Sequence, residues 1–457
     1  MAVISALFNN KIYSFEQAFN VKDITTSEMH EAIKDCLNLY FSAEKSPRED
    51  DCQRLPVVIV NKLTKTMFSE YSASGKNDFE TALLTALDKI KRKATQYMLI
   101  GGECLLKPVP SIDGFYFVPI RRDCFCPLAR DENGNLTSVG TAEFTTVGGK
   151  YFTLFERRTS GAVLTIENRL YMSHDKSTVG TQVPLNTLEK YKNLMPFATL
   201  PIKGLGLVSL RTPLFNTVDG SADAVAVYAP AAKLIHNIYL NEQQIDTEFE
   251  QGKSRIIASA DMFRKEVDEE GHVKKTISDT VFTQLEEDPE EVGITIFSPE
   301  LREQSYFNRE NKYLRNCETL IGLKRGLLSE VEAVERTAKE ITSSEGDYNL
   351  TILEFQSVWE EAVKEMVSLC GQLGKIYKVS GATDTNAEKL AIDFGNGVLY
   401  DRDKEWSEYM QMVSAGLIKP ELAVAWRFKL PCKTEKDIEN IRKDYMPQIE
   451  ELTKDEE

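Results

Sequence analysis

The sequence predicts an α+β protein. Apolar residues recur near every 3.6 positions from Met29 to Ala94, alternate with period 2 between residue 103 and about 210, and return to the helical spacing beyond about 220. The strand-like runs are short and joined by turn signals instead of helices, which describes an antiparallel meander and not a parallel sheet.

The elements follow in order. Thr26-Ser27-Glu28 precedes Met29, Ile33, Leu37 and Tyr40, the start signal and apolar face of a helix. The run from Pro56 to Val60 reads as a buried strand or a helix start. Phe79, Leu83, Leu84, Leu87, Ile90 and Ala94 share one helical face, and Gly101-Gly102 ends that helix. The runs beginning at Gly102, Gly114, Lys150 and Ala162 alternate as strands, with turns at Ile112-Asp113-Gly114, Glu132-Asn133-Gly134-Asn135, Gly148-Gly149 and Ser160-Gly161. Cys124-Phe125-Cys126 reads as strand alternation with both thiols on one face. Residues 220–250 read as a helix kinked at Pro230, and 254–258 as a strand.

An acidic excursion follows: residues 261–291 hold eleven acids and four bases, a local balance of −7. Pro299 is placed to open the next helix, where Tyr306, Tyr313 and Leu320 form one seven-residue seam and Phe307, Leu314 and Ile321 another. After a mixed-charge stretch at 327–343 comes a long helix with Tyr348, Ile352, Phe355, Trp359, Val363, Met366, Cys370, Leu373 and Tyr377 on one face. Residues 391–400 read as a strand or hairpin, and 402–446 as helices interrupted at Gly416 and Pro431.

Composition bounds the function. The chain has 457 residues, 42% hydrophobic and 28% charged, enough for two to four domains at roughly 100–200 residues each or for one elaborate domain. A net charge of −16 argues against a tight hold on phosphates. No run of about 18 apolar residues exists to span a membrane, and the N-terminus lacks the pattern of a secretory signal. The eight cysteines form no C-x-x-C and read as reduced thiols of a cytoplasmic chain. The four histidines are far apart, so neither a metal nor a cofactor is expected. Phosphate-loop, dinucleotide and nucleophile-elbow motifs are missing. Asp123, Glu143 and Glu156 in the β region could serve a hydrolase if two of them shared a cleft. Trp359, Trp406 and Trp426 lie on apolar helical faces and read as core.

Five short motifs, in order, carry a resemblance. ATQYMLIGGECLLKPVPSIDGFYFVPI (94–120) gives a helix, Gly-Gly, and a strand ending in Lys-Pro; 121–172 continues with an Asn-Gly hairpin and the strands YFTLFERR and IENRLYMS. NIYLNEQQIDTEFEQGKSRIIAS runs a helix into a Gly-Lys-x-Arg strand. PELREQSYFNRENKYLRNCETLIGL is followed by Arg336-Thr337-Ala338-Lys339-Glu340-Ile341, and VLYDRDKEWSEYMQMVSAGLIK closes the set with an Asp-initiated helix and Ala-Gly-Leu. This order resembles the portal proteins of tailed bacteriophages, the head-to-tail connectors, in the branch common in siphophages of Gram-positive hosts. The sequence departs from their pattern at 205–230.

The resemblance implies a portal fold: a wing with a β meander (1–230), a first stem helix (231–252), a mixed α/β clip (253–298), a second stem helix (299–322), a tunnel loop (323–340), the wing's long helix and strands (341–400) and a helical crown (401–457). It implies a homo-oligomeric ring of about twelve subunits at one capsid vertex, through which double-stranded DNA is packaged and ejected without sequence specificity. The partners implied are the terminase large subunit, a head–tail adaptor, and capsid and scaffold proteins, with no membrane. The location implied is the virion, with the host cytoplasm during assembly. Lys324, Arg325, Arg336 and Lys339 are the expected tunnel residues. Tyr306, Phe307, Tyr313, Leu314, Leu320 and Ile321 are the expected ring interface, so Leu314→Asp should stop ring formation. Arg302, Glu303, Arg309, Glu310, Arg315 and Glu318 are expected to line a wet channel wall. Asp268, Glu269, Glu270, Glu286, Glu287 and Asp288 are the expected docking surface of the clip, where acidic charge steers basic partners. Another ring or adaptor component of a phage-derived particle, and a carboxylate-dependent hydrolase, are the alternatives.

Overall fold

A computed structural model of the chain describes residues 13–41, 54–253, 255–257, 263–267, 273–277, 295–297, 300–330, 338–395, 402–428, 432 and 435–446. The architecture is α+β. Helices α1 (Tyr13–Phe19), α2 (Ser27–Tyr40), α3 (Leu55–Met67) and α4 (Asp78–Gly101) come first, with strand β1 (Ser72–Ser74) before α4. Thr26 caps α2 by accepting the Met29 N–H at 3.1 Å. The run from Pro56 to Val60 is helical: Leu55, Ile59, Val60, Leu63 and Met67 bury one face, and Pro56 sits in the first turn where no N–H is needed. Asn77 caps α4 by accepting the Glu80 N–H at 2.8 Å. The Glu80 carboxylate returns to the Lys76 N–H and also accepts the Asn386 N–H from the far end of the chain. Gly102 ends α4 at φ 83°, and a Cβ there would lie 2.2 Å from the Ala224 carbonyl oxygen, so only glycine fits.

Strands β2 (Glu103–Ser111), β3 (Gly114–Arg121), β4 (Phe125–Arg130), β5 (Leu136–Val147), β6 (Lys150–Thr159), β7 (Leu164–Ser173), β8 (Thr181–Val183), β9 (Phe197–Leu200) and β10 (Val208–Arg211) follow. They form a three-stranded sheet, β10-β2-β3, and a six-stranded sheet, β4-β5-β6-β7-β8 with β9 also on β7, with every pairing antiparallel. Cys124 departs from expectation: it closes a 3₁₀ turn over Arg122–Cys124, and the strand begins at Phe125. Burial pushes the thiols of Cys104, Cys124 and Cys126 well above their ordinary value, so they act as packing groups.

The expected helix over 220–250 is a correction. Helix α5 runs only from Ala232 to Gln251, entered through a 3₁₀ turn at Ala229–Ala231 that contains Pro230. Residues Ala224–Tyr228 are buried as a non-helical segment across the end of α4. Its backbone is satisfied there: the Val227 N–H donates to the Leu99 carbonyl at 2.9 Å. Arg130 holds Asp223 at 2.7 Å behind it, and the Tyr228 hydroxyl donates to the Cys36 carbonyl. Burial on all sides overrides the helix propensity of the alanines.

Strands β11 (Arg255–Ile257), β12 (Phe263–Val267), β13 (Val273–Ile277) and β14 (Thr295–Phe297) lie between α5 and helix α6 (Glu303–Ile321). Pro299 lies outside the described residues. Helix α7 (Ala338–Tyr377) is 40 residues long and buries the face read from the sequence between Tyr348 and Leu373, with Trp359 edge-on to Phe68 at 5.5 Å; Tyr377, read as the end of that face, is 48% exposed. Strand β15 (Ala391–Asp393) pairs β1, and helices α8 (Arg402–Ser414), α9 (Pro420–Phe428) and α10 (Glu435–Tyr445) close the chain. Trp426 stacks on Tyr409 at 4.8 Å. The main core joins α2, α3, α4 and α7 to the three-stranded sheet and to the near ends of α5 and α6.

Candidate functional site

The site is an antiparallel pair of helices with a β excursion at one end and a loop at the other. Helix α5 roots in the core through Ile235 and Ile238, then rises with mostly polar residues and with Leu240 and Phe249 exposed. It stops at Gly252, where a Cβ would lie 2.4 Å from Leu301 and 2.8 Å from the Glu248 carbonyl. Beyond it, Arg255 faces Phe297 across the β11–β14 pair, and β12–β13 pairs from Phe263↔Ile277 to Val267↔Val273. The six clip carboxylates Asp268, Glu269, Glu270, Glu286, Glu287 and Asp288 lie outside the described residues.

Helix α6 returns along α5. Arg302 grips Glu248 through two nitrogens, at 2.7 and 3.0 Å, and its hydrogen bond holds the Glu248 carboxyl below its ordinary value. Arg309 donates to Asn241 and Gln244, and lies 5.2 Å over the Tyr306 ring. These contacts correct the expected channel wall. Arg302 and Arg309 face α5, Arg315 donates to the Glu330 carbonyl, and Glu310 and Glu318 are buried; Glu303 alone of the six is exposed with no hydrogen bond or ion pair among the described residues. Helical spacing shows that six charges share a side, but not which of them the chain's own helix and loop engage: Arg302 is bonded to Glu248 and still 70% exposed, whereas Glu310 and Glu318 are covered.

The two seams also separate. Leu314 is 7% exposed and Ile321 4%, both in the chain's own core with Cys317, so they are not open to a neighbouring subunit. Tyr306 and Tyr313 are half-buried, Tyr306 against α5 and Tyr313 against the core. Phe307 and Leu320 are 48% and 51% exposed and remain available.

The loop begins with a tight helix stop. Gly322 adopts φ 75°, its N–H donates to the Thr319 carbonyl, and the Leu323 N–H donates to the Glu318 carbonyl at 2.8 Å. The chain then turns back along α6 to Glu330, whose N–H donates to Asn311 Oδ1 at 2.9 Å and whose carbonyl accepts from Asn311 and Arg315. Lys62 donates to the Leu327 carbonyl from α3. In the middle, the Glu318 carboxylate accepts from the N–H groups of Gly326, Leu328 and Ser329 and from the Ser329 hydroxyl. Lys324 is half-buried and Arg325 exposed at the apex. Lys339 stands in the first turn of α7, and Arg336 lies outside the described residues.

A cavity of about 1050 Å³ opens between β3, β7, β9 and the end of α7. Two carboxylates line it, Glu143 and Glu156. Burial alone would raise the Glu156 carboxyl, but Arg158 at 2.7 Å and Lys107 at 2.6 Å outweigh it and hold it at about 2. Glu143 is paired with Lys190, and Asp123 lies in a two-point grip from Arg121. Glycoside-type hydrolysis needs a carboxylic acid that keeps its proton near neutrality, and Glu156 is held ionised. Among the described residues no group of three or more His, Cys, Asp or Glu is placed to hold a metal ion. No described helix is long and apolar enough to cross a membrane.

No family model matches the chain, and no curated protein does. Among solved structures the chain is similar to one from the neck of a native GTA particle computed with C12 symmetry, at 11% identity and a TM-score of 0.45, covering 92% of this chain and 99% of that one. It is also similar to a chain from the neck of an empty GTA particle computed with C6 symmetry, at 10% identity and a TM-score of 0.46, covering 87% and 93%. At these values the likeness decides neither fold family nor function.

Proposed function

We propose that the chain is the portal subunit of a tailed phage or phage-derived particle. About twelve copies would close a ring at one capsid vertex, pass double-stranded DNA through its centre, and dock the terminase large subunit and later a head–tail adaptor. The observation that carries this reading is the succession along one chain of a helix rising from the core, a β excursion at its tip, a helix returning along the first, a loop folded at its base, and a 40-residue helix into the core. This succession supports the stem, clip, tunnel-loop and wing order that the sequence motifs imply. The role is structural; the ion-paired carboxylates of the cavity favour it over hydrolysis.

The helix pair leaves apolar side chains without cover in the single chain: Leu240 and Phe249 on α5, Phe307 and Leu320 on α6. Neighbouring subunits of a ring would bury them. Phe307→Asp with Leu320→Asp is therefore expected to give a folded monomer, and the unaltered chain a particle about twelve times 51.7 kDa with a central channel. Light scattering after gel filtration, with negative-stain images, reads both. A compact unaltered monomer that stays so with its scaffold and capsid proteins would sink the proposal. A ring that docks no terminase would turn it toward an adaptor.

Arg325 is the exposed cation of the loop. Arg325→Glu is expected to leave rings intact and to lower DNA retained after packaging by about tenfold, since each subunit replaces a phosphate-attracting charge with a repelling one. Unchanged retention would remove Arg325 from the DNA path.

A further inference from the structure

We propose that Glu318 is a latch that holds the Gly322–Glu330 loop as a fixed arm and so sets where Arg325 stands. The Glu318 side chain is 1% exposed and points from the last turn of α6 into the concave side of the loop. It meets four donors there: the Leu328 N–H at 2.6 Å, the Ser329 hydroxyl at 2.8 Å, the Ser329 N–H at 2.9 Å and the Gly326 N–H at 3.1 Å. Among the described residues no cation meets this carboxylate, so the loop's own N–H groups carry its solvation.

The arrangement is one-sided. The loop is anchored at its start by the Gly322 helix stop and at its end by Asn311 and Arg315 on Glu330. Lys62 adds one bond to the Leu327 carbonyl. Between these anchors, the N–H groups of Gly326, Leu328 and Ser329 have Glu318 as acceptor. Removing the charge leaves both anchors in place, together with the Leu327 N–H on the Lys324 carbonyl and the packing of Leu327 and Leu328, and releases the amides of Gly326, Leu328 and Ser329. Arg325 adjoins Gly326, the first of the latched amides, so its position follows the latch. Glu318 is a positioning residue, and its partners are all supplied by the segment it positions. The consequence for DNA rests on the reading of this loop as the tunnel constriction, whereas the latch does not.

Hydrogen exchange of the full-length chain tests it, comparing the unaltered protein with Glu318→Gln and with Ser329→Ala, which removes one donor and leaves the carboxylate. Exchange at the amides of Gly326, Leu328 and Ser329 is expected to quicken about ten- to a hundredfold in Glu318→Gln and a few-fold in Ser329→Ala, with the amides of α6 before residue 318 unchanged. Unchanged exchange at these amides in both variants overturns the latch. So does an equal rise across α6 and the loop, which would mean general loosening. DNA retention by Glu318→Gln rings separates the two readings: a loosened loop with normal retention keeps the latch and removes Arg325 from the DNA path.

Discussion

Leu314→Asp is expected to abolish folding and not merely ring closure. The side chain is 7% exposed and belongs to the core that joins α6 to the body of the chain. The variant loses the burial of a leucine and places a carboxylate where it finds neither water nor a partner, a cost on the order of 5 kcal/mol. That matches the whole stability of many domains, about 5–15 kcal/mol. Thermal melts followed by circular dichroism should show no cooperative transition, while Phe307→Asp, at an exposed position one heptad earlier, keeps a cooperative transition of the folded chain. A native-like melt for Leu314→Asp would return Leu314 to the subunit interface.

Glu156→Gln is expected to cost about 3 kcal/mol at neutral pH, because Arg158 and Lys107 lose their shared counter-charge. The folded carboxyl is held at about 2, below its ordinary 4.5. Its contribution is therefore complete above about pH 4.5 and disappears as the pH falls toward 2. Urea titrations should show the unaltered chain well ahead of the variant at pH 7, with the gap about halved near pH 3 and closing only toward pH 2. An equal gap at neutral and acid pH would show that packing, not charge, holds this position.

Much of the fold was legible because it is written in local spacing. The face of α7 from Tyr348 to Leu373 follows from apolar periodicity, and the meander's turns from pairs such as Gly148-Gly149, which do take positive φ. The misreading of 220–231 has a physical cause. An alanine-rich stretch favours helix when considered alone, but Ala224–Tyr228 is enclosed on every side and finds its backbone partner in the Leu99 carbonyl, far away in sequence. The site was legible as an order of elements and not as contacts. Phe307 and Leu314 hold the same place on a heptad, yet the body of the chain covers only the second. Glu318 looks like surface charge because its donors lie 8–11 residues onward, on a segment whose path no periodicity reports. Glu156 finds Lys107 across 49 residues, and Arg130 finds Asp223 across 93.

Helix α7 has a mechanical consequence. Its 40 residues, at about 1.5 Å each, make a rod of roughly 60 Å. The body of the chain grips it from Tyr348 to Leu373, and its C-terminal end reaches the cavity through Leu373 and Tyr377. A rod held along its middle does not absorb a push by bending in one place. The stretch held at Trp359 against Phe68 continues to Leu373 at the cavity wall, so the α3 side of the core and that wall are coupled by stiffness alone.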